Sequence, residues 1–155
     1  MTNTILYDAT AICAILPHRP PFLFVDRVIE LVPEHSIVAE RDIRQDEFFF
    51  QGHFPGRPIV PGVIVTDALA QTCGLLWGLS KKKAEPPSGQ PELFFLAAAD
   101  MKYISPAFPG ATLRLMASFK KRFGALFNYS VTACAGRELI AKGSLTLAKV
   151  EGGPP

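Results

Sequence analysis

From Val63 to about Leu79 the chain has no polar stripe: Val63, Ile64, Val65, Ala68, Leu69, Ala70, Leu75, Leu76 and Trp77 fall on every side of a helical wheel. A helix that is apolar all round has to be covered all round. Val63-Ile64-Val65 alone would suit a strand, but Asp67-Ala-Leu-Ala-Gln and the length of the run favour helix. The rest of the chain must supply the cover, and its patterns are mostly those of strands. HSIVAERDI, Leu93 to Tyr103, Thr112 to Lys121, Leu126 to Ala133 and Glu138 to Leu147 all read as strand, with a bend from Pro106 to Gly110 and a turn at Gly136-Arg137. PHRPPFLFVDRVIELV turns a proline-rich bend into one more strand. A short helix precedes it, capped by Asp8 or Thr10 and stopped by Pro17. KKKAEPPSGQPE reads as an exposed loop, and about residues 150–155 (EGGPP among them) as a flexible tail. The expectation is one α+β domain over residues 1–155, a curved antiparallel sheet wrapped around one long buried central helix.

Composition narrows what such a domain does. A chain of 155 residues, 48% hydrophobic and 19% charged, builds one full core. A net charge of +2, without dense Lys/Arg interleaved with stacking aromatics, argues against a nucleic-acid partner. Lys81-Lys82-Lys83 reads as a solvated face. Cys13, Cys73 and Cys134 lack CxxC spacing, which suits core thiols in a reducing compartment better than a disulfide framework or a zinc site. The first residues lack the basic start of a signal peptide, and no apolar run is expected to span a membrane. A soluble cytoplasmic protein is the expectation.

The chemistry concentrates in FFFQGHFPGRPIVPGVIVTDALAQTCG, residues 48–74. Histidine has the side chain whose ordinary pKa lies nearest neutrality, so His53 is the leading catalytic candidate. Pro55 and Pro58 stiffen the backbone after it, while Gly52 and Gly56 permit close approach or unusual dihedrals. Pro61-Gly62 then opens the buried helix, whose first N–H groups have no intrahelical partner and can stabilise a carbonyl oxygen gaining charge. Asp67 lies about one turn inside. A carboxylate there needs a partner, and Gln71, four residues on, shares its face. A base, an acid and an oxyanion site suit removal of a proton α to a carbonyl and expulsion of a β-hydroxyl. His18 and His35 read instead as loop histidines, His18 orienting the LPHRPPF bend.

LPHRPPFLFVDRV, FFFQGHFPGRPIVPGVIVTDALAQ and FFLAAADMKYISPAFPGATL resemble, in order and spacing, the 3-hydroxyacyl-acyl-carrier-protein dehydratases of bacterial type II fatty acid synthesis. The likeness runs from about Ile12 to Lys149. It implies the hot-dog fold, no metal or organic cofactor, and dimers or trimers of dimers whose sites are shared between subunits. Carried over, the family histidine falls on His53 and the family acid on Asp67, from the partner subunit. The carbonyl-binding amides fall on Gly62 and Val63, and the glutamine that supports the acid on Gln71. The partner implied is acyl carrier protein, which is acidic; Lys102, Lys120, Lys121 and Arg122 are candidate contacts. One departure stands out. The shorter-chain branch usually carries Glu where this chain has Asp67, and the branch that also isomerises the product usually carries Asp, yet the surrounding blocks look like the first branch. The implied activity is dehydration of (3R)-3-hydroxyacyl thioesters. The alternatives are a dehydratase of polyene or polyketide synthesis, a dehydratase-isomerase, or a non-catalytic acyl-binding subunit.

Overall fold

A computed structural model of the chain describes residues 4–84 and 92–150. The short helix α1, Ala9–Ile15, starts where Asp8 Oδ1 accepts from the Ala11 amide at 3.0 Å and stops before Pro17. Strands β1 (Arg27–Val32) and β2 (Ser36–Asp42) follow, then a 3-10 turn at Phe48–Gln51 and the long helix α2, Gly62–Ala84. Four strands complete the fold: β3 (Phe94–Tyr103), β4 (Thr112–Phe123), β5 (Leu126–Ala135) and β6 (Glu138–Lys149). All pair antiparallel in the order β1-β2-β4-β5-β6-β3.

Helix α2 packs against β2, β3, β4, β5 and β6. One helix can reach five strands of one sheet only if the sheet curves round it, which is the wrapped architecture its apolar pattern demands. Val65, Leu69, Cys73, Leu75, Leu76 and Leu79 are all at most 1% exposed, against Ile37, Leu115, Phe127, Val131 and Leu145 of the sheet. Burial pushes the Cys73 thiol well above its ordinary value. The helix also meets a length and hydropathy test for a membrane span over Gly62–Lys82, where the sequence had suggested no such run; 61% of that window is buried inside the domain, as a core helix requires.

Helix α2 runs past Leu79, into what reads locally as loop. Ser80 Oγ donates back to the Leu76 carbonyl, and Glu92 receives both the Trp77 indole N–H (2.6 Å) and Lys81 Nζ (2.7 Å). Lysines in a last turn also suit the negative end of the helix dipole. Residues 85–91 of the expected loop and the expected tail from Glu151 lie outside the described residues. The last three strands likewise run two residues longer than expected: two-residue hairpins join β4 to β5 and β5 to β6, and β6 continues to Lys149 by pairing with Phe94 of β3. Gly124 (φ 56) and Gly136 (φ 60) supply the positive φ such turns demand.

The VDRV segment ties the sheet to the loop that carries His53. Arg27 reaches Glu40 at 2.8 Å and grips Asp42 with both terminal nitrogens; that guanidinium holds the Asp42 carboxyl down to about 2. Arg41, 5% exposed, forks onto Glu47 at 2.7 and 2.9 Å and reaches Asp26 at 3.1 Å. Glu47 immediately precedes the 3-10 turn, so this buried pair sets where the chain departs toward His53. Breaking it strands a buried charge. Arg41→Ala is expected to lose about 3–5 kcal/mol of unfolding free energy by denaturant titration; a loss below about 1 kcal/mol would mean that water reaches Glu47 readily.

Candidate active site

His53 sits in a loop closed by its own backbone. The Phe54 and Arg57 amides and carbonyls bond reciprocally at 3.2 and 2.9 Å, Gly56 between them has φ 72, and the Ile59 amide donates to the His53 carbonyl at 3.0 Å. Val60 N–H then donates to Ala107 O at 2.9 Å, fastening the loop to the segment after β3. Within this frame the imidazole lies 4.1 Å from the Phe54 ring in a stacked arrangement, and Nδ1 is 2.8 Å from the Ile59 carbonyl. A carbonyl oxygen can only accept, so Nδ1 carries the proton and the neutral ring keeps its free lone pair on Nε2. A base is thereby oriented without another side chain's help.

The start of α2 supplies donors. Ile64 and Val65 amides both turn back to the Pro61 carbonyl, at 2.9 and 3.3 Å, which leaves the Gly62 and Val63 amides as the unpaired N–H groups of the first turn. Val63 is 73% exposed, the outstanding exception on a buried helix. Gly62 lies against Tyr103, and a methyl group built on it would come within 3.1 Å of two ring atoms. The Tyr103 hydroxyl lies 2.6 Å from Thr66 Oγ1.

Asp67 is half-buried and held by Gln71, whose Nε2 donates to Asp67 Oδ2 at 2.8 Å. Gln71 is only 2% exposed and spends its remaining groups on the LPHRPPF bend: Nε2 also donates to Phe22 O (3.0 Å) and Oε1 accepts from Phe24 N–H (2.8 Å). The bend is fixed from the other side by Arg19, which donates to the carbonyls of Cys13, Leu16 and His18. Sequence reasoning placed Gln71 beside Asp67 but had no means of seeing these distant partners.

His18 is a residue whose neighbourhood the sequence hid. Its Nδ1 is buried without a hydrogen-bond partner among the described residues. Burial pulls its pKa below the ordinary value; the nearby Asp67 carboxylate acts against that shift and Arg19 adds to it. The folded protein therefore prefers His18 neutral, whereas the unfolded chain takes up a proton there as pH falls through about 6.5. This contribution to stability is complete above that pH and is lost below it. A His18→Gln protein is expected to show a flatter fall of melting temperature between pH 7 and pH 5 than the parent; parallel curves would dismiss the effect.

In this single chain no described hydrogen bond joins His53 to Asp67: the histidine is engaged with Ile59 and Phe54, the carboxylate with Gln71. The expected carrier contacts divide as well. Lys102 adjoins Tyr103, at the Gly62 end of α2, and faces Lys142 across β3 and β6. Arg122 instead lies 5.7 Å over the Trp77 ring and 4.6 Å over Phe127, with Lys120 and Lys121 beside it. Trp77 lies fifteen positions along the helix from Gly62, about 22 Å at a rise of 1.5 Å each, so the four cations form two patches. Among the described residues no three His, Cys, Asp or Glu gather into a possible metal site.

A family model for the FabA-like domain matches residues 16–144, the span from the bend before β1 to the last strand. The chain belongs to that family. Among curated relatives, the FabA-like domain is 38% identical over 149 residues to the 3-hydroxyacyl-acyl-carrier-protein dehydratase FabZ of Polynucleobacter necessarius, covering 96% of both chains. It is 44% identical over 142 residues to FabZ of Lactococcus lactis, covering 91% of this chain and 94% of the relative. Solved structures share the hot-dog fold at much lower identity. The dehydratase heterocomplex ApeI:P of Xenorhabdus doucetiae superposes with a TM-score of 0.73 at 17% identity, over 90% of this chain and 91% of that one. Cj0977 of Campylobacter jejuni gives 0.66 at 9% identity, over 91% and 96%.

Proposed function

We propose that this FabA-like domain is a hydro-lyase that removes water from (3R)-3-hydroxyacyl thioesters on acyl carrier protein, forming trans-2-enoyl thioesters in fatty acid synthesis. The near end-to-end match to relatives named as FabZ dehydratases carries the reading. The site geometry supports it. His53 Nε2, left unprotonated by the Nδ1–Ile59 bond, takes the C2 proton. The Gly62 and Val63 amides hold the thioester oxygen as it gains charge. Asp67, steadied by Gln71, gives a proton to the C3 hydroxyl, which leaves as water as the C2–C3 double bond forms. The proton on His53 then returns to the Asp67 carboxylate through solvent, and both groups are reset.

The pairing we favour is His53 of one subunit with Asp67 of another, in a homodimer or trimer of dimers working in the cytoplasm. The sheet ends at β3, whose partner is β6 alone among the described strands, and Phe95, Leu96 and Tyr103 on it are exposed. An apolar edge of this kind favours cover by a second chain. Mixing His53→Ala with Asp67→Ala subunits is then expected to restore activity that neither parent has; proven subunit exchange without restoration would require a site within one chain. For the acidic carrier, Lys102 and Lys142 at the Gly62 end of α2 are favoured over the Arg122 patch.

The deciding experiment incubates the protein with carrier-bound 3-hydroxyacyl chains of several lengths and identifies products by mass spectrometry and chromatography. Loss of water to the trans-2 product is expected. A cis-3 product would assign isomerisation as well, and binding without water loss at any length would overturn the enzyme reading.

A further inference from the structure

We infer that Tyr103 is a positioning residue of this site, holding the first turn of α2 in the geometry its amides and Asp67 need; this rests on the dehydratase reading above. The contacts are specific. The Tyr103 ring lies flush on Gly62, where even a methyl group would press to 3.1 Å, and the phenol hydroxyl meets Thr66 Oγ1 at 2.6 Å. Gly62 and Thr66 are one turn apart on the same helical face. The side chain therefore bridges the turn that opens with the Gly62 and Val63 amides and ends beside Asp67.

Ile64 and Val65 hold the inner side of that turn on the core, but its amide end has few other restraints. The Ile64 and Val65 amides share one carbonyl, that of Pro61, the Gly62 and Val63 amides have no described partner, and Val63 makes little contact with the core. Thr66, by contrast, is only 6% exposed, so the hydroxyl pair joins a fixed point of the helix to the last residue of β3. From there the chain is held by Ile104 N–H donating to Ile140 O at 2.8 Å. Glycine at position 62 thus has two duties, to present an amide and to admit the ring. The ring is still 52% exposed, which places Tyr103 at the border of the turn and not in the core. A shift of about 1 Å in donors aimed at a reacting oxygen can cost 10²-fold in rate, whereas ground-state binding of a long acyl chain depends little on it.

The test is a cycle of Tyr103→Phe, Thr66→Val and the double variant, with Thr66→Ser as the conservative control. Tyr103→Phe keeps the ring and loses the hydroxyl; Thr66→Val keeps the shape and loses the oxygen. Each single variant is expected to lower kcat about tenfold with KM within about twofold, the double to be no worse than either, and Thr66→Ser to recover most of the rate. Amide exchange at Ile64 and Val65 is expected to accelerate several-fold in both single variants. Unchanged kcat in both singles, multiplicative losses in the double, or a change in KM alone would overturn the assignment. Should the parent protein dehydrate no 3-hydroxyacyl thioester, the functional reading fails, and the exchange rates decide the clamp alone: faster exchange upholds it and unchanged exchange overturns it.

Discussion

His53→Ala is expected to leave an assembled protein with dehydration reduced by about 10²–10⁴-fold, the share a positioned general base contributes. The loss should fall on chemistry because the loop does not depend on the imidazole. The bonds from Ile59 N–H to His53 O, between Phe54 and Arg57, and from Val60 N–H to Ala107 O are all made by backbone groups and survive the substitution. What disappears is the ring stacked on Phe54 and the donor to the Ile59 carbonyl, which is free to take a water in a half-exposed loop. The measurement is turnover of carrier-bound 3-hydroxyacyl substrate, alongside size and melting temperature. Substantial turnover by a correctly assembled His53→Ala protein would remove His53 from the mechanism and leave the loop's rigidity as its only purpose.

The same features that make this prediction specific were legible in the sequence, because they are local. A helix without a polar side announces its own burial, and everything placed around α2 follows from it. Prolines and glycines crowded about one histidine announce a held side chain, and Gln71 four residues after Asp67 announces a partner on the same helical face. Where local reasoning failed, the reason was also local. Lys81 to Ala84 read as loop because lysines lead there into a proline-rich run, whereas the helix continues on contacts with Glu92, at the far end of that run. The strand ends at Lys121 and Ala133 fall short because nothing in the local pattern shows how far pairing continues toward the two-residue hairpins at Gly124-Ala125 and Gly136-Arg137.

The parts of the site that escaped the sequence join residues far apart in it. Gln71 meets Phe24 across 47 residues and Phe22 across 49, and Thr66 meets Tyr103 across 37. No periodicity carries such pairings; they exist only because the sheet curls until β3 and the LPHRPPF bend reach opposite sides of one helix. His18 follows the same rule. In sequence it is a histidine in a proline-rich bend, and in the fold the Gln71 bonds bring that bend close enough for Asp67 to act on it.

Asp67→Asn separates an acid from a mere partner, and a loss of about 10²–10⁴-fold in kcat/KM is expected. Asparagine keeps the length and the branch of the side chain, and its carbonyl oxygen can still accept from Gln71 Nε2, so the link to Phe22 and Phe24 persists. Only the proton supply is removed. Asp67→Glu asks a different question, because the added methylene advances the carboxyl by roughly 1.5 Å. In a site built around the shorter acid, that advance crowds the substrate and pulls the carboxyl off Gln71; in one still shaped for glutamate it would be tolerated or would improve turnover. We expect Asp67→Glu to retain part of the dehydration and to gain no isomerisation, since the surroundings from Gly56 to Val63 resemble the non-isomerising branch. Kinetics on carrier-bound substrate with separation of trans-2 and cis-3 products reads both outcomes. Near-normal turnover by Asp67→Asn would reduce Asp67 to an anchor for Gln71, and the proton for the departing hydroxyl would have to come from another group or from water.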